Sequence, residues 1–105
     1  MSQVTSELDE LVRQIVDLVH PLRIVLFGSA ARGEAGRYSD LNVMVVMPDG
    51  THRRHTAQNL YRNLPGIEKP VDFVVATPSD LEKHKDTIGL VYRDIIRDGR
   101  ELYAA

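Results

Sequence analysis

Three strand-length apolar runs, at residues 22–27, 41–47 and 71–76, recur along the 105 residues, with helical patterns between them. A nearly continuous apolar run of this length marks a strand covered on both faces. The chain is therefore expected to build one sheet clothed by helices. Residues 6–20 read as the first helix, with Leu8, Leu11, Val12, Ile15, Val16, Leu18 and Val19 at helical spacing and Arg13, Gln14 and Asp17 turned outward. Ser6 is the expected N-cap, and Pro21 the stop, because the residue before a proline is pushed out of helical geometry.

The remaining elements follow from the same signals. Ala30-Ala31-Arg32 can open a short helix after Gly28-Ser29, and Pro48-Asp49-Gly50 forms a turn. Thr51 is the expected cap of a helix over 52–64, with Ala57, Leu60, Tyr61 and Leu64 on one stripe, ended by Pro65-Gly66. Pro78 can begin another short helix. Ile88, Val91, Tyr92, Ile95 and Ile96 form a closing helical stripe that Gly99 terminates, and Leu102-Tyr103 can add a short edge strand. Helices alternating with apolar strands place the chain in the α/β class, here a small α+β sheet whose pairings are open. Residues 1–105 read as a single domain, without repeat, linker or low-complexity segment.

Composition removes whole classes of function. There is no cysteine, which excludes disulfides and thiolate-bound metals. A formal net charge of -2, from 13 Lys and Arg against 15 Asp and Glu, argues against direct binding to a long polyanion such as nucleic acid. No run is long enough to span a membrane, and no secretory leader stands at the start, so a cytoplasmic setting is expected.

The chemistry is concentrated between residues 26 and 42. An apolar strand delivers the chain to Gly28-Ser29, where unpaired backbone N–H groups can face an anion. Gly28 lets a ligand approach the backbone closely, Ser29 offers a hydroxyl, and Arg32 and Arg37 offer guanidinium forks. Together these make a phosphate cradle. Asp40 and Asn42, two residues apart, project to one face of the second strand. Asp72 opens the third strand, where a carboxylate inside an apolar run is costly to bury without a cationic partner. If the two strands are neighbours, three oxygen-bearing side chains meet beside the cradle, a donor set that suits Mg²⁺ and phosphoryl or nucleotidyl transfer.

The run from Gly28-Ser29 through Arg32-Gly33 to Ser39-Asp40 resembles the signature of the minimal nucleotidyltransferases of the DNA polymerase β superfamily. In that family Gly-Ser is followed ten residues on by Asp-x-Asp, with a third aspartate on a later strand. Here ten residues separate Ser29 from Asp40, and Asp72 stands in the third place. The segments Pro48-Asp49-Gly50-Thr51-His52-Arg53-Arg54 and Gly89-Leu90-Val91-Tyr92-Arg93 are similar too. The resemblance implies a mixed sheet with helices mainly on one side, and transfer of AMP from ATP. It also implies an antitoxin role beside a HEPN-domain toxin, modified on a tyrosine hydroxyl. Gly28, Ser29 and Arg32 would then hold the nucleotide, and Asp40, Asn42 and Asp72 the metal (two Mg²⁺ ions in a fully competent site). Asp40 and Asp72 would be the catalytic pair, Asp72 also activating the acceptor. A homo- or hetero-oligomer is implied.

Asn42 departs from the family pattern, which has a second aspartate there. An amide offers only a neutral carbonyl oxygen to a cation. Losing one such charge costs on the order of 10²-fold in rate, by analogy with losing one electrostatic stabiliser of a transition state. Asn42 fits two accounts, a naturally weakened or silent site and an Asp→Asn replacement of an active one. Two functions follow: a partner-directed adenylyltransferase, or a silent module that neutralises or stabilises its partner by contact. His52-Arg53-Arg54-His55 reads as the exposed first turn of a helix rather than a nucleic-acid or metal site, and His20 and His84 as incidental.

Overall fold

The computed structural model describes residues 3–28, 41–64, 71–84, 95 and 98–105. Its elements are α1 (Gln3–Val19), β1 (Arg23–Phe27), β2 (Leu41–Val46), α2 (Arg53–Asn63), β3 (Val71–Ala76), α3 (Pro78–His84) and β4 (Arg100–Ala104). The short helix expected at Ala30-Ala31-Arg32 lies outside the described residues, as does most of the closing stripe.

The four strands form one mixed sheet in the order β3-β2-β1-β4. β1 runs antiparallel to β2, from Arg23 opposite Val46 to Phe27 opposite Asn42. β2 runs parallel to β3, from Leu41 beside Val71 to Val46 beside Ala76. Parallel neighbours need a crossover, and α2 supplies it. β4, foreseen as a short edge strand at Leu102-Tyr103, pairs antiparallel with β1. Ile24 faces Tyr103 and Val25 faces Glu101, so Leu102 is an extra residue and the ladder bulges there.

Period-two alternation divides the strands between two cores. On one face Leu11 and Ile15 of α1 and Leu60 of α2 pack against Ile24, Leu26, Val43 and Val45. On the other, Val25, Met44, Val46 and Ala76 pack with Ile95, and Leu81 of α3 lies against them. Among the described residues α1 and α2 share one side, and α3 and Ile95 lie on the other. Among the described residues no helix is long and apolar enough to cross a membrane.

Helix ends depart from expectation at the start of α1 and at the cap of α2, while the end of α1 before Pro21 agrees with it. α1 begins at Gln3, so Ser6 lies inside it and is not its cap; nothing in the preceding residues breaks a helix, and a serine is tolerated within one. α1 ends on His20, whose φ of 51° is left-handed and whose N–H bonds the Val16 carbonyl at 3.0 Å, ahead of Pro21. The cap of α2 is His52 rather than Thr51, its Nδ1 accepting the His55 N–H at 3.2 Å. Thr51 instead closes the preceding turn, its N–H bonded to the Pro48 carbonyl. Gln14, expected outward, is half-buried. Tyr61 leaves the buried stripe: it is 55% exposed. Ile95 is the described member of the closing stripe and is buried, and Gly99 follows with its N–H on the Ile95 carbonyl at 2.8 Å.

Candidate active site

Antiparallel β1 and parallel β2 and β3 bring one end of β1 and the starts of β2 and β3 to the same edge of the sheet. There Phe27, Asn42 and Asp72 lie in line across the three strands, Phe27 opposite Asn42 and Asn42 beside Asp72. Asn42 shares its face with Met44, and Asp72 shares its face with Val74, so both belong to the face opposite α1 and α2. The neighbouring strands stand about 4.8 Å apart. Asn42 is half-buried, and Asp72 is exposed.

Gly28 follows Phe27 with a φ of +80°, a conformation that side-chain-bearing residues rarely adopt. A Cβ built on it would stand 2.9 Å from Asn42 Nδ2. The Asn42 amide therefore lies close beside the Gly28 backbone, and the left-handed φ is what favours glycine there. This proximity joins the expected cradle to the expected ligand set.

Of the residues singled out from the sequence, Gly28, Asn42 and Asp72 are brought together. Ser29, Arg32, Arg37 and Asp40 lie outside the described residues. Exposure of Asp72 corrects one expectation: as an outer strand of the sheet, β3 leaves it in water, so no burial cost marks it out. Its register with Asn42 does. The two side chains offer hard oxygen donors from adjacent strands, one charged and one neutral, and an exposed carboxylate suits a cation that keeps several waters. These donors fit Mg²⁺. Among the described residues there is no group of three His, Cys, Asp or Glu positioned to hold a metal.

The His52-to-His55 segment lies elsewhere. β2 carries the chain about 16 Å from Asn42 before α2 begins. At that far end Asp80 Oδ2 accepts from the Thr77 N–H and hydroxyl, both at 3.0 Å, and the Asp80 N–H returns to Thr77 Oγ1 at 3.3 Å. This reciprocal cap starts α3 behind Pro78. Arg53 Nη1 joins Asp80 at 3.1 Å, and Asp49 Oδ1 accepts the Ser79 N–H at 3.1 Å. That backbone bond, with one from the Ser79 side chain, holds the Asp49 carboxyl below its ordinary range. The His52 and His55 rings stack at 3.9 Å. The cluster joins α2, α3 and the β2 turn, which gives the histidines a structural role.

Sequence reasoning missed Tyr61. Its hydroxyl accepts the Phe73 N–H at 2.9 Å, and the two rings meet edge to face at 5.2 Å. Helical periodicity assigned it to the core, and only the proximity of α2 to β3 reveals the bond.

The fold has solved counterparts. A candidate nucleotidyltransferase from Sulfolobus solfataricus is similar with a TM-score of 0.62 at 20% identity, over 94% of this chain and 78% of that one. A toxin–antitoxin solved with AMP-PNP gives a TM-score of 0.58 at 22% identity, covering 95% and 73%. A variant of the toxin–antitoxin MntA–HpeT gives 0.62 at 20% identity, covering 93% and 73%. No curated protein matches the chain. The nucleotidyltransferase domain model matches residues 7–102, a span that holds every strand but the last two residues of β4 and the whole Gly28–Asn42–Asp72 corner. The chain belongs to the nucleotidyltransferase domain family.

Proposed function

We propose that this chain is the antitoxin of a toxin–antitoxin pair and transfers AMP from ATP to a hydroxyl, a tyrosine's, on its HEPN-domain partner. The observation that carries the reading is the Asn42–Asp72 register beside Gly28, which supports a phosphate-facing loop next to oxygen ligands. Membership of the nucleotidyltransferase domain family supports the reaction class. Similarity to toxin–antitoxin structures, one of them with AMP-PNP, supports the partner and the nucleotide.

In this reading Gly28, Ser29 and Arg32 hold the ATP phosphates, and Asp40, Asn42 and Asp72 hold Mg²⁺. The metal would neutralise phosphate charge in the transition state. Asp72 accepts the proton of the acceptor hydroxyl as its oxygen attacks the α-phosphorus, and pyrophosphate leaves. An exposed Asp72 suits this role, because an acceptor on another protein must reach it from solvent.

Asn42 favours a second reading, in which the same fold is silent and neutralises or stabilises its partner by contact. Mass spectrometry of the partner after incubation with this chain, ATP and Mg²⁺, beside an Asn42→Asp version, separates the two. AMP added by the chain as it stands supports transfer. AMP added only by Asn42→Asp means a competent fold disabled at one ligand. No addition by either leaves contact.

A further inference from the structure

Among the described residues β3 is an outer strand of the sheet, and no strand there receives its outward N–H groups. At Phe73 the Tyr61 hydroxyl fills that place, accepting the N–H at 2.9 Å while the two rings pack edge to face at 5.2 Å. Phe73 directly follows Asp72, and only Val71 precedes Asp72 in the strand. Among the described residues this anchor on the outer side of β3 stands one residue from the carboxylate. The inner side is the ladder that sets Asn42 beside Asp72. A strand held on one side only frays first at its end.

We propose that Tyr61 is a positioning residue for Asp72: by capping the outer N–H of Phe73 it holds the start of β3 in register, and so keeps the Asp72 carboxylate beside Asn42 for a divalent cation. The inference rests on the metal-binding reading above. It gives α2 a second task besides its core face, since Tyr61 works from the exposed side of the helix.

The test uses the full chain, ¹⁵N-labelled, with Mn²⁺ as a paramagnetic probe. Mn²⁺ should broaden the amides of Asn42 and Asp72, and Asp72→Asn should abolish that broadening. Tyr61→Phe keeps the ring and removes the hydroxyl. It should leave the core amide shifts of Val43 and Leu60 unchanged, speed hydrogen exchange at the Phe73 amide, and weaken Mn²⁺ binding about fivefold, the scale of one net hydrogen bond. Phe73→Leu keeps the hydroxyl bond and removes the ring contact, and should hold Mn²⁺ affinity within about twofold. Broadening in the natural chain that Tyr61→Phe leaves unchanged would overturn the positioning role alone. Equal weakening by both variants would assign the effect to ring packing, and the hydroxyl role would fall. Without broadening near Asp72 in the natural chain, the metal reading fails and the positioning role with it.

Discussion

Asn42 and Asp72 are register partners across the parallel β2–β3 ladder, and their side chains leave the sheet on the same face. The pair combines one charged and one neutral oxygen donor, which would hold a divalent cation more weakly than two carboxylates. Asn42→Asp should therefore raise nucleotidyl transfer on the order of 10²-fold. It should also make Mg²⁺ increase the thermal midpoint more than it does for the natural chain. Parallel melts with and without Mg²⁺ and a transfer assay on the partner check both. Equal melts and equal rates would show that position 42 is not a ligand.

Gly28 bears two constraints that can be separated. Gly28→Ala meets a left-handed φ of +80° and a contact of 2.9 Å with Asn42 Nδ2. It should cost about 1–3 kcal/mol in stability. Adding Asn42→Ala should recover the part due to the contact and leave the backbone strain. Denaturant unfolding of the two single variants and the double variant measures the coupling, which should be non-zero.

Asp49 gives stability a pH dependence of known sign. Its carboxyl is held below the ordinary range by the Ser79 backbone N–H first. A group lowered in the folded state contributes fully above its unfolded value and loses that contribution as pH falls through the folded one. Asp49→Asn should remove that contribution near pH 7, where it is fully present, and leave stability at the acid end little changed, so the acid limb of the profile flattens. Unfolding curves between pH 2 and 7 provide the check, and an unchanged acid limb would exclude Asp49 as a contributor.

Gly99 sits where a side chain has no room. A Cβ there would stand 2.4 Å from the Ile95 carbonyl oxygen and 2.7 Å from Val25 Cγ1. Since the oxygen belongs to the backbone, the main chain itself must move. Gly99→Ala should lower stability by about 1–3 kcal/mol and disturb the β1–β4 pairing that begins one residue later. Amide exchange at Val25 and Leu26 should rise in parallel.

What the sequence determined by itself is local and periodic. Apolar runs placed β1, β2 and β3 within a residue of their observed limits, because a six-residue apolar run has few other ways to bury its side chains. Leu11, Ile15 and Leu60 were legible as core from helical spacing for the same reason. Asp72 and Asn42 stood out as polar interruptions of such runs. Cap choices were less legible: His52 took the place expected for Thr51, since backbone direction decides which side chain reaches a free N–H.

Only the tertiary structure decided the mixed pairing of the strands. Periodicity tells which residues share a face but not which strand lies beside which, or in what direction. The antiparallel β1–β2 and parallel β2–β3 ladders bring Gly28, Asn42 and Asp72 to one edge and leave Asp72 in water. They also turn Tyr61 from a core residue of α2 into the cap of an outer strand. Contacts between residues distant in the chain depend on strand order and register, so the corner where the candidate site lies exists only once the sheet has closed.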